Sequence, residues 1–171
     1  MIIFSVLYGI ISYSFAHYGE MLTYLGMTAP MATFALVSWL KNPFNGHRSE
    51  VKVNRLKTAE IVWMLLLTAV VTVIFGLILN HFNTANIFPS TASVTTSFLS
   101  VYLTFRRSAY FALMYAVNDI VLIVLWVMAS ASDVSYLSVV ICFAVFILND
   151  IYGFLSWPEM RKRQEKHSDR A

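Results

Sequence analysis

Charge is scarce in this chain. Aspartate, glutamate, lysine and arginine make up 12% of its 171 residues, against roughly 25% in an ordinary soluble domain. Cysteine is nearly absent: the one thiol, Cys142, lies in an apolar run, so no internal disulfide and no cysteine-based metal site can form. The sequence also lacks a phosphate-cradling glycine loop, an exposed nucleophile motif and a paired zinc motif. Its histidines, His17, His47, His81 and His167, fall in loops or the tail with no metal-ligand spacing among them. No basic residue precedes the first apolar segment and no small-residue cleavage pattern follows it, so that segment does not read as a secretory signal peptide. No cofactor is implied.

What is abundant is hydrocarbon. The chain is 58% hydrophobic and 15% aromatic, with a mean hydropathy of +0.68, and this composition belongs in a bilayer. The expectation is an all-α integral membrane protein, 1–171 forming a single membrane domain. Six apolar segments approach the roughly 20 helical residues that a hydrocarbon core requires. They run from Met1 to Ala16, Met21 to Leu40, Ala59 to Asn80, Ile87 to Phe105, Ala109 to Ala129 and Val134 to Trp157. Between them lie His17-Tyr18-Gly19-Glu20, the long stretch Lys41 to Lys57, His81 to Asn86, Arg106-Arg107, and Ser130 to Asp133.

The net charge of +3 matters less than where the charges stand, and nucleic acid is not an expected partner. Placing Arg161-Lys162-Arg163 in the cytoplasm makes alternate loops inner and outer. Lys41, Arg48, Lys52, Arg55 and Lys57 then share one inner loop, Arg106 and Arg107 the other, and Arg161, Lys162, Arg163, Lys166 and Arg170 the tail. None of the twelve basic residues is outside. The reading is therefore a multi-pass plasma-membrane protein with Met1 and Ala171 both cytoplasmic.

A shift of 118 residues lays Tyr8 on Trp126, Tyr18 on Tyr136, Phe34 on Tyr152 and Ser38-Trp39 on Ser156-Trp157. The first two spans then correspond to the last two and enter the membrane from the same side, as in a parallel repeat. On this reading 1–41 is a partial first repeat, 42–58 a cytoplasmic loop, 59–80 a linker helix, 87–157 the second repeat and 158–171 a basic cytoplasmic tail. The fourth span has no partner, so the repeat expects one further helix about 30 residues before Met1.

Ionisable groups at bilayer depth cost at least ~2.5 to 3.5 kcal/mol and need a reason. Asn118-Asp119-Ile120 and Asn149-Asp150-Ile151 lie at comparable mid-membrane depth and can face one cavity. Amides beside carboxylates suit a polar solute, and the carboxylates favour a cation. Equally, the pairs can bond one another to hold the bundle together. Tyr115 and Tyr152 are the deeper candidates for ring contacts. Trp126 and Trp157 each follow an aspartate by seven residues, on a common helical face, yet both also stand where interfacial tryptophans are found. The fourth span holds Ser90, Thr91, Ser93, Thr95, Thr96, Ser97, Ser100 and Thr104, which either line a pathway or bond back to their own backbone.

The stretches Tyr115-Ala116-Val117-Asn118-Asp119-Ile120, Leu125-Trp126 and Asn149-Asp150-Ile151-Tyr152-Gly153-Phe154-Leu155-Ser156-Trp157, with Tyr18-Gly19-Glu20-Met21 and Ser38-Trp39, resemble the PnuC-type vitamin transporters. That resemblance implies a three-plus-one-plus-three helix arrangement similar to the SWEET fold, here lacking its first helix. It further implies a homotrimer in the lipid bilayer and facilitated diffusion of nicotinamide riboside, trapped inside by phosphorylation. Its substrate sites use asparagine and aromatic residues at mid-bilayer, which carries over to Asn118 and Asn149. Many members have tryptophan one turn before the first asparagine where this chain has Met114, with Tyr115 beside it. Transport of another vitamin such as thiamine, and a non-transporting membrane enzyme or remnant, are the alternatives.

The loop charges predict a topology that labelling can test. In a background with Cys142 replaced, a cysteine at Ser132 reacts with an impermeant reagent in intact cells and one at Asn45 does not. The opposite pattern inverts the assignment.

Overall fold

The computed structural model describes residues 1–15, 17–45, 47–84 and 86–168, with the backbone alone at 47–49 and 168. Ala16, Arg170 and Ala171 lie outside the described residues, as do the side chains of His47 and Arg48. The described residues form six helices: α1 (Ile2–Ser14), α2 (Tyr18–Leu40), α3 (Thr58–His81), α4 (Ile87–Phe105), α5 (Phe111–Ser130) and α6 (Leu137–Ser168). A 3₁₀ turn, Val134–Tyr136, leads into α6, and a hairpin of β1 (Pro43–Phe44) and β2 (His47–Val51) joins α2 to α3.

Among the described residues α2, α3, α5 and α6 are long and apolar enough to cross a membrane. α1 has 13 residues, or about 20 Å of helix. α4 is less apolar for a different reason: it lies inside the bundle, burying Ser90, Ser93, Ser97, Ser100 and Thr104 together with Val94 and Val101. The contrast with α3 is sharp. There only Met64, Thr68 and Leu79 are buried, while Trp63, Leu66, Val70, Val73 and Leu77 point outward, as they do where the surrounding solvent is hydrocarbon. Two apolar clusters hold the bundle: one contains Tyr8, Tyr24, Leu122, Trp126 and Phe143, the other Met27, Leu79, Val94 and Phe98.

One sequence expectation needs correction, and two segments gain local structure. α2 begins at Tyr18 rather than Met21, so Glu20, read as a loop residue, is inside the bundle and 1% exposed. Within the stretch Lys41 to Lys57 a short hairpin forms, with Pro43 opposite Val51. The tail after Trp157 continues as helix through Pro158 to Ser168. That extension is pinned by Gln164, which is buried: it accepts from Val53 N at 2.9 Å and donates to Glu50 Oε1 at 2.8 Å and Val51 O at 3.0 Å. Arg55 makes a two-pronged contact with Glu165, both distances 2.8 Å, and Arg106 pairs with Glu60. Asn54 N donates to Arg107 O at 3.0 Å. The three basic segments thus meet at one end of the bundle.

The ends of the repeat also meet. Trp126 Nε1 donates to Tyr8 Oη at 2.6 Å, two residues 118 apart, and the Trp39 and Trp157 rings, also 118 apart, are 5.2 Å centre to centre. Equivalent positions touch in this way when a pseudo-two-fold axis runs between them. Trp39 has a second task. Its Nε1 donates to Thr104 O at 2.8 Å while Ser38 Oγ donates to Phe105 O at 2.9 Å, which satisfies carbonyls of the last turn of α4.

Trp39→Phe keeps a ring against Phe111 and Trp157 but removes the donor to Thr104. We expect a loss of about 1 kcal/mol, read as a lower thermal midpoint in detergent, and a larger loss for Trp39→Ala. Equal midpoints for the parent and both variants contradict the capping role.

Candidate functional site

The bundle encloses a cavity of about 260 Å³, near the lower end of the ~300–1,000 Å³ typical of small-molecule sites. Helical spacing selects its walls. α5 contributes Phe111, Tyr115, Asn118 and Asp119, α6 contributes Phe146, Asn149 and Asp150, and α1 contributes Met1, Phe4 and Ser5; steps of three, four and seven place each set on one helical face. α4 adds Ser97, and α2 adds Tyr24 and Thr28. Met1 and Asp119, like Thr28 and Phe146, are pairs under the 118-residue shift, so the cavity straddles the pseudo-two-fold axis. Tyr24 and Thr28 belong to a π-helical turn, Thr23–Thr28, a widened backbone that changes which side chains face inward.

Asn118 is firmly held. Its Oδ1 accepts from Thr96 Oγ1 at 2.8 Å and Ser97 Oγ at 2.9 Å, and its Nδ2 donates to Tyr24 Oη at 3.1 Å. One amide N–H of Asn118 is left as a donor, while the Tyr24 hydroxyl also lies 3.3 Å from Ser97 Oγ. Asp119 is 5% exposed and its Oδ2 has no hydrogen-bond partner among the described residues; nor has the buried Ser5 Oγ. Asn149 Nδ2 donates to Asp150 Oδ1 at 3.4 Å. Among the described residues no lysine, arginine or histidine lines the cavity. Its remaining wall is aromatic: Phe4 and Phe146 meet edge to face at 5.2 Å, and Phe111 and Tyr115 at 6.2 Å. Carboxylates, ring faces and unfilled hydrogen-bonding positions together suit a small cation that carries hydroxyls. Among the described residues no group of three potential ligands could hold a metal ion.

Of the residues singled out from the sequence, Asn118, Asp119, Asn149, Asp150 and Tyr115 converge on this cavity. Tyr152 does not. It is 72% exposed because two residues beyond Asp150 is a turn of about 200° around the helix. Trp126 is fully buried, neither at an interface nor in the cavity. Seven residues past Asp119 is about 10 Å along the axis, and there it packs on Tyr8, Tyr136 and His17, the last at 4.6 Å. Burial in this contact holds the His17 imidazole below its ordinary pKa.

Sequence reasoning missed Phe4, Ser5, Tyr24, Thr28, Phe111 and Phe146. Phe146 stands three residues before Asn149, a signal available in the spacing; nothing in the sequence announces the π-helical turn that turns Tyr24 inward. It also missed Glu20, whose two carboxylate oxygens accept from Ser93 Oγ at 3.0 and 3.2 Å. For the hydroxyls of α4 both readings hold. Thr95, Ser100 and Thr104 bond back to their own helix, while Thr96 and Ser97 reach Asn118.

Comparison with known proteins agrees with this architecture. The family model described as nicotinamide mononucleotide transporter matches residues 1–159. The nicotinamide riboside transporter PnuC of Neisseria mucosa is 27% identical over 162 residues, which cover 92% of this chain and 61% of that protein. The chain therefore spans about three fifths of that relative's length. The crystal structure of the vitamin B3 transporter PnuC superposes with a TM-score of 0.78 at 24% identity, covering 95% of this chain and 71% of that one, a likeness of fold. Helices long and apolar enough to span a bilayer, within a family of transporters, make this a multi-pass membrane protein. With the family model matched along nearly its whole length, the chain belongs to the nicotinamide mononucleotide transporter family.

Proposed function

We propose that the chain carries nicotinamide riboside across the plasma membrane by facilitated diffusion, as part of a homotrimer whose termini 1 and 171 face the cytoplasm. The observation that carries this reading is a cavity with two carboxyls, aromatic walls and no basic side chain. The riboside has a fixed positive charge on its pyridinium ring and a ribose rich in hydroxyls. Asp119 and Asp150 supply the compensating field, Phe4, Tyr115 and Phe146 offer rings, and Asn118, Asn149 and Ser5 meet hydroxyl or amide groups. The name of the Neisseria mucosa relative supports the same substrate. The charge pattern of the loops supports the orientation.

On either side of the cavity stands one of the aromatic contacts between repeat equivalents. Tyr8 joins Tyr24, on the cavity wall, to Trp126; Phe111, also on the wall, packs on Trp39 and Trp157. Passage requires these two closures to part in turn, which is alternating access about a fixed central site.

Counterflow uptake in proteoliposomes separates the readings: riboside exchange supports this one, exchange of thiamine alone moves the substrate to another vitamin, and exchange of neither contradicts transport. Within the site, losing one good hydrogen-bonding partner costs on the order of 1 to 3 kcal/mol, roughly five- to a hundredfold in affinity. Asn118→Ala and Asn149→Ala are expected to weaken riboside binding by such factors in calorimetry on purified protein. Tyr152→Ala, on the outward face, is expected to leave Kd unchanged within about twofold. If Tyr152→Ala abolishes binding while the asparagine variants bind like the parent, the site is elsewhere.

A further inference from the structure

The cavity places two carboxyl groups together with no lysine, arginine or histidine beside them among the described residues, and what neutralises them before a substrate arrives bears on how the carrier works. This inference rests on the reading of the cavity as the site of a cationic substrate. Asp119 is 5% exposed, its Oδ2 has no partner among the described residues, and the Asp150 side chain lies within hydrogen-bonding reach of it.

Each neighbouring element can be searched for a counter-charge. From α1 come Met1, Phe4 and Ser5, and the charge there is the amino group of Met1, a residue 45% exposed. From α2 comes Tyr24, with Glu20 one turn behind it and bonded to Ser93 of α4. α4 itself presents Ser97. Tyr115 on α5 is the remaining titratable group, its hydroxyl donating to Met1 Sδ at 3.3 Å, and Asn149 on α6 is neutral. No buried positive charge faces the pair from any of them.

Two carboxylates facing one another in a poorly polarisable surround repel strongly. A carboxylate accepts hydrogen bonds but donates none, so contact between two of them needs a proton held by one. A proton shared in this way relieves the repulsion between the two carboxyls. We propose that a proton and the organic cation compete for the Asp119–Asp150 pair, so that a proton leaves to water as the cation enters. No bond of the substrate is made or broken, and the charge within the cavity is the same in both loaded states. Acid therefore weakens binding of the cation and alkali favours it.

The experiment uses purified protein and two probes, nicotinamide riboside and its uncharged 1,4-dihydro form, bound calorimetrically in two buffers of different protonation enthalpy. The expected result is release of up to one proton per riboside bound. Affinity for the cation rises by up to about tenfold per pH unit as pH is raised through the displacement range, while the dihydro form binds with no pH dependence and no proton release. Asp119→Asn and Asp150→Asn are each expected to abolish the release and flatten the profile. Riboside binding without proton release and with a flat pH profile in the parent protein overturns the competition and leaves the transport reading standing. Absence of binding by either probe at any pH overturns both.

Discussion

A polar group held at bilayer depth has no water to fall back on, so it must find a partner in the protein or keep a place for a ligand. That constraint organises this molecule. α4 carries a run of hydroxyls through the middle of the bundle, and its neighbours are arranged to receive them: Thr95 meets Thr72 of α3, Ser93 meets Glu20 of α2, and Thr96 and Ser97 meet Asn118 of α5. Once those bonds are made, what remains unpaired stands out. Of the buried side-chain atoms without partners among the described residues, Ser5 Oγ and Asp119 Oδ2 share the wall of one cavity, where a polar ligand would satisfy both.

The same bonds fix the frame around the cavity. Asn118 is gripped by two hydroxyls and a tyrosine, so its free donor is aimed rather than mobile. At the basic end the hairpin, the Arg106-Arg107 corner and the extension of α6 are tied together through Gln164, Glu50 and Glu165, which anchors α2, α4 and α6 against one another. The aromatic contacts between repeat equivalents carry no such network. They are edge-to-face or tilted ring contacts with at most one hydrogen bond, worth about a kcal/mol or so each beyond burial. Contacts of that size can be broken and remade during a transport cycle, whereas the polar ladder of α4 holds.

The helices were legible in the sequence because apolar length and basic punctuation are read residue by residue: the structure has helices where the six apolar segments lie. The paired Asn-Asp motifs were legible because charge at that depth is rare. Tyr152 was misplaced because nearness along the chain was taken for nearness in space, and a helix turns its face away within two residues. Glu20 was missed because the end of a span cannot be set to within a few residues by hydropathy. Tyr24 and Thr28 lay beyond reach since a π-helical turn leaves no mark in composition. The π turn also explains how α2 presents the Tyr24 hydroxyl to Asn118.

The central claim is that the small acidic, aromatic cavity between α1, α2, α5 and α6 holds the substrate. A structure of the protein with nicotinamide riboside bound tests it most directly. The account predicts the pyridinium ring among Phe4, Tyr115 and Phe146, close to the Asp119 and Asp150 carboxyls, with the ribose toward Asn118 and Ser5. Density for the ligand at the basic end instead, in the larger pocket of about 810 Å³ lined by Phe44, Lys162 and Lys166, would contradict it.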